Sequence, residues 1–363
     1  MHVLVEGSGG SSGWPEPGCR CASCLRTGTA PRKPWTVVVD DQLRLIVGRK
    51  PRHDGVFGPR SRDYAVRRLG DAREGGPGGW EVTAPDGERL LYPGGPGAAP
   101  VPPDGAAPYH IVFLDLLGDP AQLGWLRARG LITPGTVTAV AFADHRVPSE
   151  RELRRRCAFW GARVPADGET VTAARSAQNA PGTGRGPARR VLVLGGARSG
   201  KSERAELRLA GEPDVTYVAA GAPAAGDPDW AARVAAHRAR RPAWWRTAET
   251  ADLAGILGAP RGALLIDGIG TWLAAVLDER GGWDGRDGAG KARERAAELV
   301  AAWRQTRAHV VAVSDETGLG VVPETPAGRL FRDELGRLNQ ALAAESEETE
   351  LVVAGKVVPL DAW

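Results

Sequence analysis

Eight consecutive residues, Gly195, Gly196, Ala197, Arg198, Ser199, Gly200, Lys201 and Ser202, fit the pattern G-x-x-x-x-G-K-[ST]. Such a run can cradle phosphates. Glycines let successive backbone N–H groups turn inward around phosphate oxygens, and a helix beginning at the loop adds its partial positive charge. Lys201 is placed to reach the β- and γ-phosphates, and the Ser202 hydroxyl can ligate Mg²⁺. An apolar run, Val191 to Leu194, precedes the loop and a helical pattern follows it, which is the setting the motif needs. Lysine occurs only at Lys33, Lys50, Lys201, Lys291 and Lys356, so its presence here carries weight. An ordinary glycine-rich strand-to-helix turn is the plain alternative. Phosphate chemistry also needs a carboxylate at the end of a second strand to organise Mg²⁺. The run Ala263 to Asp267 supplies Asp267, whose plain alternative is a helix cap.

Two further groups could do chemistry. His237 is surrounded in sequence by Arg233, Arg238, Arg240 and Arg241. Clustered cations bind phosphate and favour the neutral imidazole, which can attack phosphorus and form a phosphoramidate. A histidine sharing one helix side with Trp230, Val234 and Arg241 also fits a half-buried structural role. Near the N-terminus, Cys19, Cys21 and Cys24 form C-x-C-x₂-C. Three thiolates this close can hold Zn²⁺ if a fourth ligand arrives from elsewhere; otherwise they are three reduced surface cysteines.

The elements that must position these groups fall into two parts. The chain has 363 residues, enough for two cores. Residues 168–189 are rich in small residues, Gly and Pro, without apolar periodicity, and read as a linker. The expected domains are therefore 1–167 and 190–363. In the second, strands at 191–194, 215–218, 263–267, 309–314 and 351–354 alternate with helices at 202–210, 229–241, 271–278, 291–307 and 327–344. That alternation predicts an α/β fold with a parallel sheet and helices on both faces. The first domain reads as α+β, with strands at 2–5, 36–39, 43–47, 111–114 and 137–143. A long loop is expected over 75–108 and a basic helix over 149–160.

Composition excludes several classes. Hydrophobic residues are 42% and charged residues 25%, which is globular rather than disordered. A net charge of +3 with interspersed Arg and Glu gives no reason for a nucleic-acid partner. No apolar run is long enough for a transmembrane segment, the first residues lack a secretory pattern, and four cysteines do not make a disulfide framework. These features predict a cytoplasmic protein with reduced thiols.

The runs GGARSGKS, TYVAAG, RVAAHRARRPAWWRTAE, LLIDGIGTWL, VSDETGLGVVPETPAGRLFRDELGRLNQ and ELVVAG occur in that order between about Arg190 and Leu360. They resemble the bifunctional adenosylcobinamide kinase/adenosylcobinamide-phosphate guanylyltransferase family of cobalamin biosynthesis. The resemblance implies a P-loop NTPase-like domain whose substrates are GTP, ATP, adenosylcobinamide and its phosphate. It implies that Lys201 assists phosphoryl transfer and that His237 carries GMP. Nucleotide contacts then fall on Gly195–Ser202, on Ala219, Ala220 and Gly221, on Arg238, Ala239, Arg240 and Arg241, and on Glu249 and Asp267. Ser202 and Asp267 hold Mg²⁺, and the assembly is a homotrimer with sites between subunits. Asp315-Glu316-Thr317-Gly318 departs from the family's frequent Asn-Glu-Val-Gly, and Gly268 to Trp272 also differs. A carboxylate at Asp315 repels phosphates unless it faces Mg²⁺ or an arginine. Arg329, Arg332 and Arg337 recur along one helix, as a solvated face or as phosphate or subunit contacts.

The opening HVLVEGSGGSSGWPEPGCRCASC resembles the phosphodiesterase-like branch of metallo-β-lactamase-fold hydrolases, which carries a structural zinc. There a late histidine completes the site. His145, in Asp144-His145-Arg146, is the match, with Cys157 as the substitute. The fold's catalytic His-x-His-x-Asp-His cluster is missing: the six histidines are His2, His53, His110, His145, His237 and His309, no two within five residues. The first domain therefore reads as a truncated, non-catalytic relative. Two other readings of the whole chain are a small-molecule kinase without a covalent intermediate and a nucleotide- or metal-binding module.

Overall fold

Alternating apolar residues make the first strands. β1 (His2–Gly7) buries Val3 and Val5, and β2 (Thr36–Val39) and β3 (Leu43–Ile46) extend the same face. The structure, a computed structural model, describes residues 1–27, 31–47, 52–53, 63–173, 189–220, 238–279, 281, 283 and 286–360. It divides into two compact units, Met1–Gly184 with Ala210–Pro213, and Arg185–Leu209 with Asp214–Trp363.

After β1 the first unit contains α1 (Ala22–Arg26), β2, β3, β4 (Arg52–His53), β5 (Ala65–Asp71), β6 (Gly79–Thr83), β7 (Arg89–Pro93), β8 (Pro100–Val101) and β9 (Ile111–Leu114). It continues with α2 (Ala121–Ala128), β10 (Val137–Val140), α3 (Glu150–Phe159) and β11 (Glu169–Thr172). One sheet has the order β11-β1-β2-β3-β4 and the other β10-β9-β7-β6-β5-β8. Val3, Val5, Val37, Val39, Leu43 and Leu45 from the first sheet form one core with Val82, Leu90, Tyr92, Ile111 and Phe113 from the second. Trp35 meets Phe113 edge to face at 5.4 Å.

Three expectations change here. The stretch 75–108 is not a long loop: it contains β6, β7 and β8. Gly78, Gly79 and Gly94 there permit close backbone approaches within the sheet. A Cβ added at Gly79 would lie 2.6 Å from the Tyr92 carbonyl oxygen, so only glycine permits that approach. Second, the linker does not begin at 168, because Glu169–Thr172 pairs antiparallel with β1 and buries Val171. Third, β5 and α2 were not anticipated; β5 is mostly exposed and so lacks the alternation that marks a strand. The basic helix stands as α3, capped by the Ser149 side chain. Its arginines pair along the helix, Arg154 with Glu150 and Arg156 with Glu152.

The second unit runs β12 (Arg190–Gly195), α4 (Lys201–Leu209), β13 (Val215–Ala219), β14 (Arg246–Glu249), α5 (Leu253–Gly258), β15 (Ala263–Asp267) and α6 (Ile269–Glu279). It continues with α7 (Arg286–Gln305), β16 (Val310–Asp315), α8 (Pro326–Ala344), β17 (Glu348–Val353) and β18 (Lys356–Pro359). The sheet order is β14-β13-β15-β16-β12-β17-β18, parallel except for the terminal β17–β18 hairpin. Both faces are covered, as expected. Leu192, Leu264, Ile266 and Val310 face Leu253, Trp272, Trp303 and Leu335 of α5 to α8. Val191, Val193 and Val311, offset by one residue, face Ala205 and Leu209 of α4. The strand expected from Leu351 is β17 and begins at Glu348; its buried polar residues Thr349 and Glu350 mask that start in the sequence. Most of the helix expected at 229–241 lies outside the described residues.

Glu350 is the most consequential buried charge. It is 1% exposed and accepts from Arg204 Nε at 2.8 Å, Arg204 Nη2 at 2.9 Å and Arg208 Nη1 at 2.7 Å. These bonds fasten α4, which begins at the candidate phosphate loop, to β17. Removing one partner of a buried ionic group leaves charge uncompensated, at a cost of about 3–5 kcal/mol. Glu350→Ala should lose that much stability in urea unfolding of the full chain; a loss under ~1 kcal/mol would contradict this.

A candidate nucleotide site and a cysteine–histidine cluster

Parallel pairing puts the reactive-type residues of the second unit on one edge. β12 is paired with β16 on one side and β17 on the other, with Gly195 opposite both Asp315 and Val352. The segment 196–200 therefore leaves the sheet at the carboxyl ends of its strands, where α/β folds place their ligands. The Gly355 N–H donates to the Ser199 carbonyl at 2.8 Å, and Glu316 N–H to that of Gly195 at 3.1 Å. Gly200 has φ +94°, which favours glycine, and Arg198 also has positive φ. Gly196, Ala197 and Arg198 are exposed, while Ser199 is buried and its Oγ has no hydrogen-bond partner among the described residues.

The side chains expected to act on phosphates meet at this loop. Lys201 Nζ donates to the Gly196 carbonyl at 3.2 Å and lies 2.9 Å from Asp315 Oδ1. The Ser202 hydroxyl donates to Asp267 Oδ1 at 3.3 Å. Tyr217 O–H donates to Asp267 Oδ2 at 2.9 Å, and burial pushes the phenol's pKa well above its ordinary value. The Arg241 guanidinium lies 3.6 Å over the Tyr217 ring. Tyr217 was not anticipated; its only signal is its position two residues before Ala219, which pairs with Asp267.

Of the remaining expected contacts, Ala219, Ala220, Arg238, Ala239, Arg240 and Glu249 fall among the described residues. Ala219 accepts from Thr250 N–H, and the Ala220 N–H donates to the Asp267 carbonyl, both at 3.3 Å. Arg238 pairs with Glu249 at 3.0 Å and Arg240 with Glu206 at 3.1 Å. Ala239 is exposed beside them. Gly221 and His237 lie outside the described residues. Arg329 donates to the Pro323 and Glu324 carbonyls, Arg332 donates to that of Gly318, and Arg337 pairs with Glu334. The first two brace the loop before α8.

In the first unit, one ligand atom each from Cys19, Cys21, Cys24 and His145 lies within 4.8 Å of the others. Cys21 caps α1, accepting from Cys24 N–H at 3.4 Å, which lowers its thiol pKa. Burial pushes the Cys24 thiol up to about 11. Cys24 Sγ is 3.6 Å from His145 Nδ1. Arg146, beside His145, bonds the fully buried Asp115 at 2.7 Å and Asp144 at 2.9 Å, fixing the turn that presents the ring. Cys157 is buried on α3 and does not join the cluster. All four cysteines are free thiols. No helix among the described residues is long and apolar enough to cross a membrane.

Comparison with known proteins gives a consistent result. The family model described as cobinamide kinase / cobinamide phosphate guanyltransferase matches residues 191–360. The bifunctional adenosylcobalamin biosynthesis protein CobU of Salmonella typhimurium is 42% identical over 185 residues, covering 46% of this chain and 96% of that protein. The corresponding CobP of Pseudomonas aeruginosa is 43% identical over 179 residues, covering 47% and 96%. CobU of Escherichia coli is 38% identical over 175 residues, covering 46% and 96%.

The loop's backbone conformation can be tested by itself. A Cβ at Gly200 would meet nothing closer than 3.6 Å, so Gly200→Ala introduces φ strain without a clash. It should cost about 1–2 kcal/mol, read as a lower urea midpoint. An unchanged midpoint would mean that the loop does not hold this conformation.

Proposed function

The C-terminal half of the chain belongs to the cobinamide kinase / cobinamide phosphate guanyltransferase family, and from that premise we propose how its residues divide the work. The protein is a transferase of cobalamin biosynthesis that acts as a cobinamide kinase and a cobinamide-phosphate guanylyltransferase. The observation that carries the assignment of residues is the meeting of Lys201, Ser202 and Asp267 at the loop.

In the kinase reaction a substrate hydroxyl oxygen attacks the γ-phosphorus of ATP or GTP, a new P–O bond forms as the β–γ P–O bond breaks, the nucleoside diphosphate leaves and the hydroxyl proton passes to solvent. Lys201 and the N–H groups of Gly195–Ser202 stabilise the charge that develops on the phosphate oxygens. The Ser202 hydroxyl and the Asp267 carboxylate are hard oxygen donors suited to Mg²⁺, and they already face one another. Mg²⁺, when bound, neutralises phosphate charge. Tyr217 holds Asp267 in its orientation through the second carboxylate oxygen.

In the guanylyl reaction a His237 ring nitrogen attacks the α-phosphorus of GTP. A P–N bond forms, the α–β P–O bond breaks and pyrophosphate leaves. A phosphate oxygen of adenosylcobinamide phosphate then attacks the same phosphorus and releases the imidazole. Arg238, Arg240, Arg241 and Glu249 flank this chemistry, with Ala219, Ala220 and Gly221 along the nucleotide. The test uses the full chain with Mg²⁺ and GTP labelled at the α-phosphorus. Denatured protein should retain acid-labile, alkali-stable label, and His237→Ala should retain none. Wild-type protein that binds GTP without retaining label would move the assignment to a kinase without a covalent intermediate.

The first unit is a metallo-β-lactamase-like domain that lacks its catalytic histidine cluster; two sheets enclosing one core support that reading. Cys19, Cys21, Cys24 and His145 hold structural Zn²⁺. Their mutual distances suit it, since tetrahedral Zn–S bonds of about 2.3 Å place sulfurs about 3.8 Å apart. Free thiols fit a cytoplasmic setting, and a homotrimer follows from the family resemblance. Purified protein should contain one zinc per chain by elemental analysis. Cys24→Ser should lose it and melt at lower temperature, whereas zinc-free wild-type protein of unchanged stability would remove the assignment.

A further inference from the structure

The pairing of β16 with β12 puts the Asp315 carboxylate beside the first residue of the loop. Its Oδ1 lies 2.9 Å from Lys201 Nζ, and the Lys201 side chain is only 15% exposed. Asp315 is also held in place. Asn339 Nδ2 donates to its carbonyl at 3.0 Å, and the Ser314 hydroxyl secures Asn339 at 2.6 Å. On its far side the carboxylate packs against the first turn of α6, where a Cβ at Gly270 would lie 2.8 Å from Asp315 Oδ2. Two carboxylates thus flank the loop in different ways. Asp267 is engaged by a hydroxyl on each oxygen, from Ser202 and Tyr217. Asp315 is paired with the cation that a triphosphate needs.

We propose that Asp315 makes triphosphate binding at this loop conditional on a divalent cation. The inference rests on the reading of Gly195–Ser202 as the nucleotide site and adds a residue to it. In the nucleotide-free protein Asp315 neutralises Lys201. A triphosphate that takes Lys201 exchanges one ion pair for another and leaves the Asp315 charge against its own. A divalent cation between the carboxylate and the phosphates removes that repulsion. An asparagine at this position keeps the shape and carries no charge, so Lys201 is released without penalty. Like charges at such separation in a half-exposed site are partly screened, which leaves an expected effect of about tenfold in Kd.

The experiment measures calorimetric Kd values of the full-length protein for the α,β-methylene analogue of GTP, which cannot transfer GMP. Each is taken with excess Mg²⁺ and with excess EDTA. In EDTA, Asp315→Asn should bind about tenfold more tightly than wild type. Its ratio of EDTA to Mg²⁺ Kd should shrink by a similar factor. Asp315→Ser, which shortens the side chain, should move both quantities the same way and guards against an effect peculiar to one variant. Adding Lys201→Ala to Asp315→Asn should abolish the gain in EDTA. Equal ratios in wild type and both Asp315 variants would overturn the inference while leaving the loop a nucleotide site. Wild-type protein that binds nothing even with Mg²⁺ would overturn the nucleotide reading itself, and this inference with it.

Discussion

The double-sided pairing of β12 is the constraint on which the catalytic half depends. A strand held by parallel neighbours on both sides cannot shift its register without displacing the whole sheet. That pairing fixes Gly195 at the carboxyl edge and makes the chain turn there into α4. The Glu350 ion group then holds α4 against β17, so the helix that starts at the loop is anchored by buried charge.

The same edge explains the electrostatics of the site. β15 and β16 are neighbours that end within two residues of each other in register, so each delivers a terminal carboxylate. Their partners differ: Asp267 meets hydroxyls and Asp315 meets a lysine. The edge of the sheet beside the loop thus holds two acids, one bonded to Ser202 and the other to Lys201. The hydroxyl of Tyr217 constrains the orientation of Asp267 through its second carboxylate oxygen.

The first unit follows different physics. Its core lies between two sheets, and its turns rely on glycines at close backbone approaches. The cysteine–histidine cluster ties α1 to the turn after β10, two segments far apart in sequence. A metal there would crosslink the unit much as a disulfide does, in a chain whose thiols are free. Arg146, paired with the buried Asp115, supports the same turn.

Much of the catalytic half was legible because its signals are local. Strand–helix alternation has a short period, and the phosphate loop is contiguous, so its residues need no tertiary information to be recognised. The strand-end position of Asp267 was readable for the same reason. Elements with polar or glycine-rich patterns were not: β5 is largely exposed, β6 and β7 are framed by Gly and Pro, and β17 buries Thr349 and Glu350. Those strands exist because neighbouring strands satisfy their backbone, a non-local cause that leaves no mark on hydropathy. The sequence alone determined the residue types at the loop, the cysteine triplet and the sheet's class. Tertiary structure alone decided that Tyr217 holds Asp267 and that Asp315 pairs with Lys201, and it set beside the thiols the His145 that the resemblance had implied. Each is a contact between separate elements, and only the register of strands and the burial of one face bring such side chains within bonding distance.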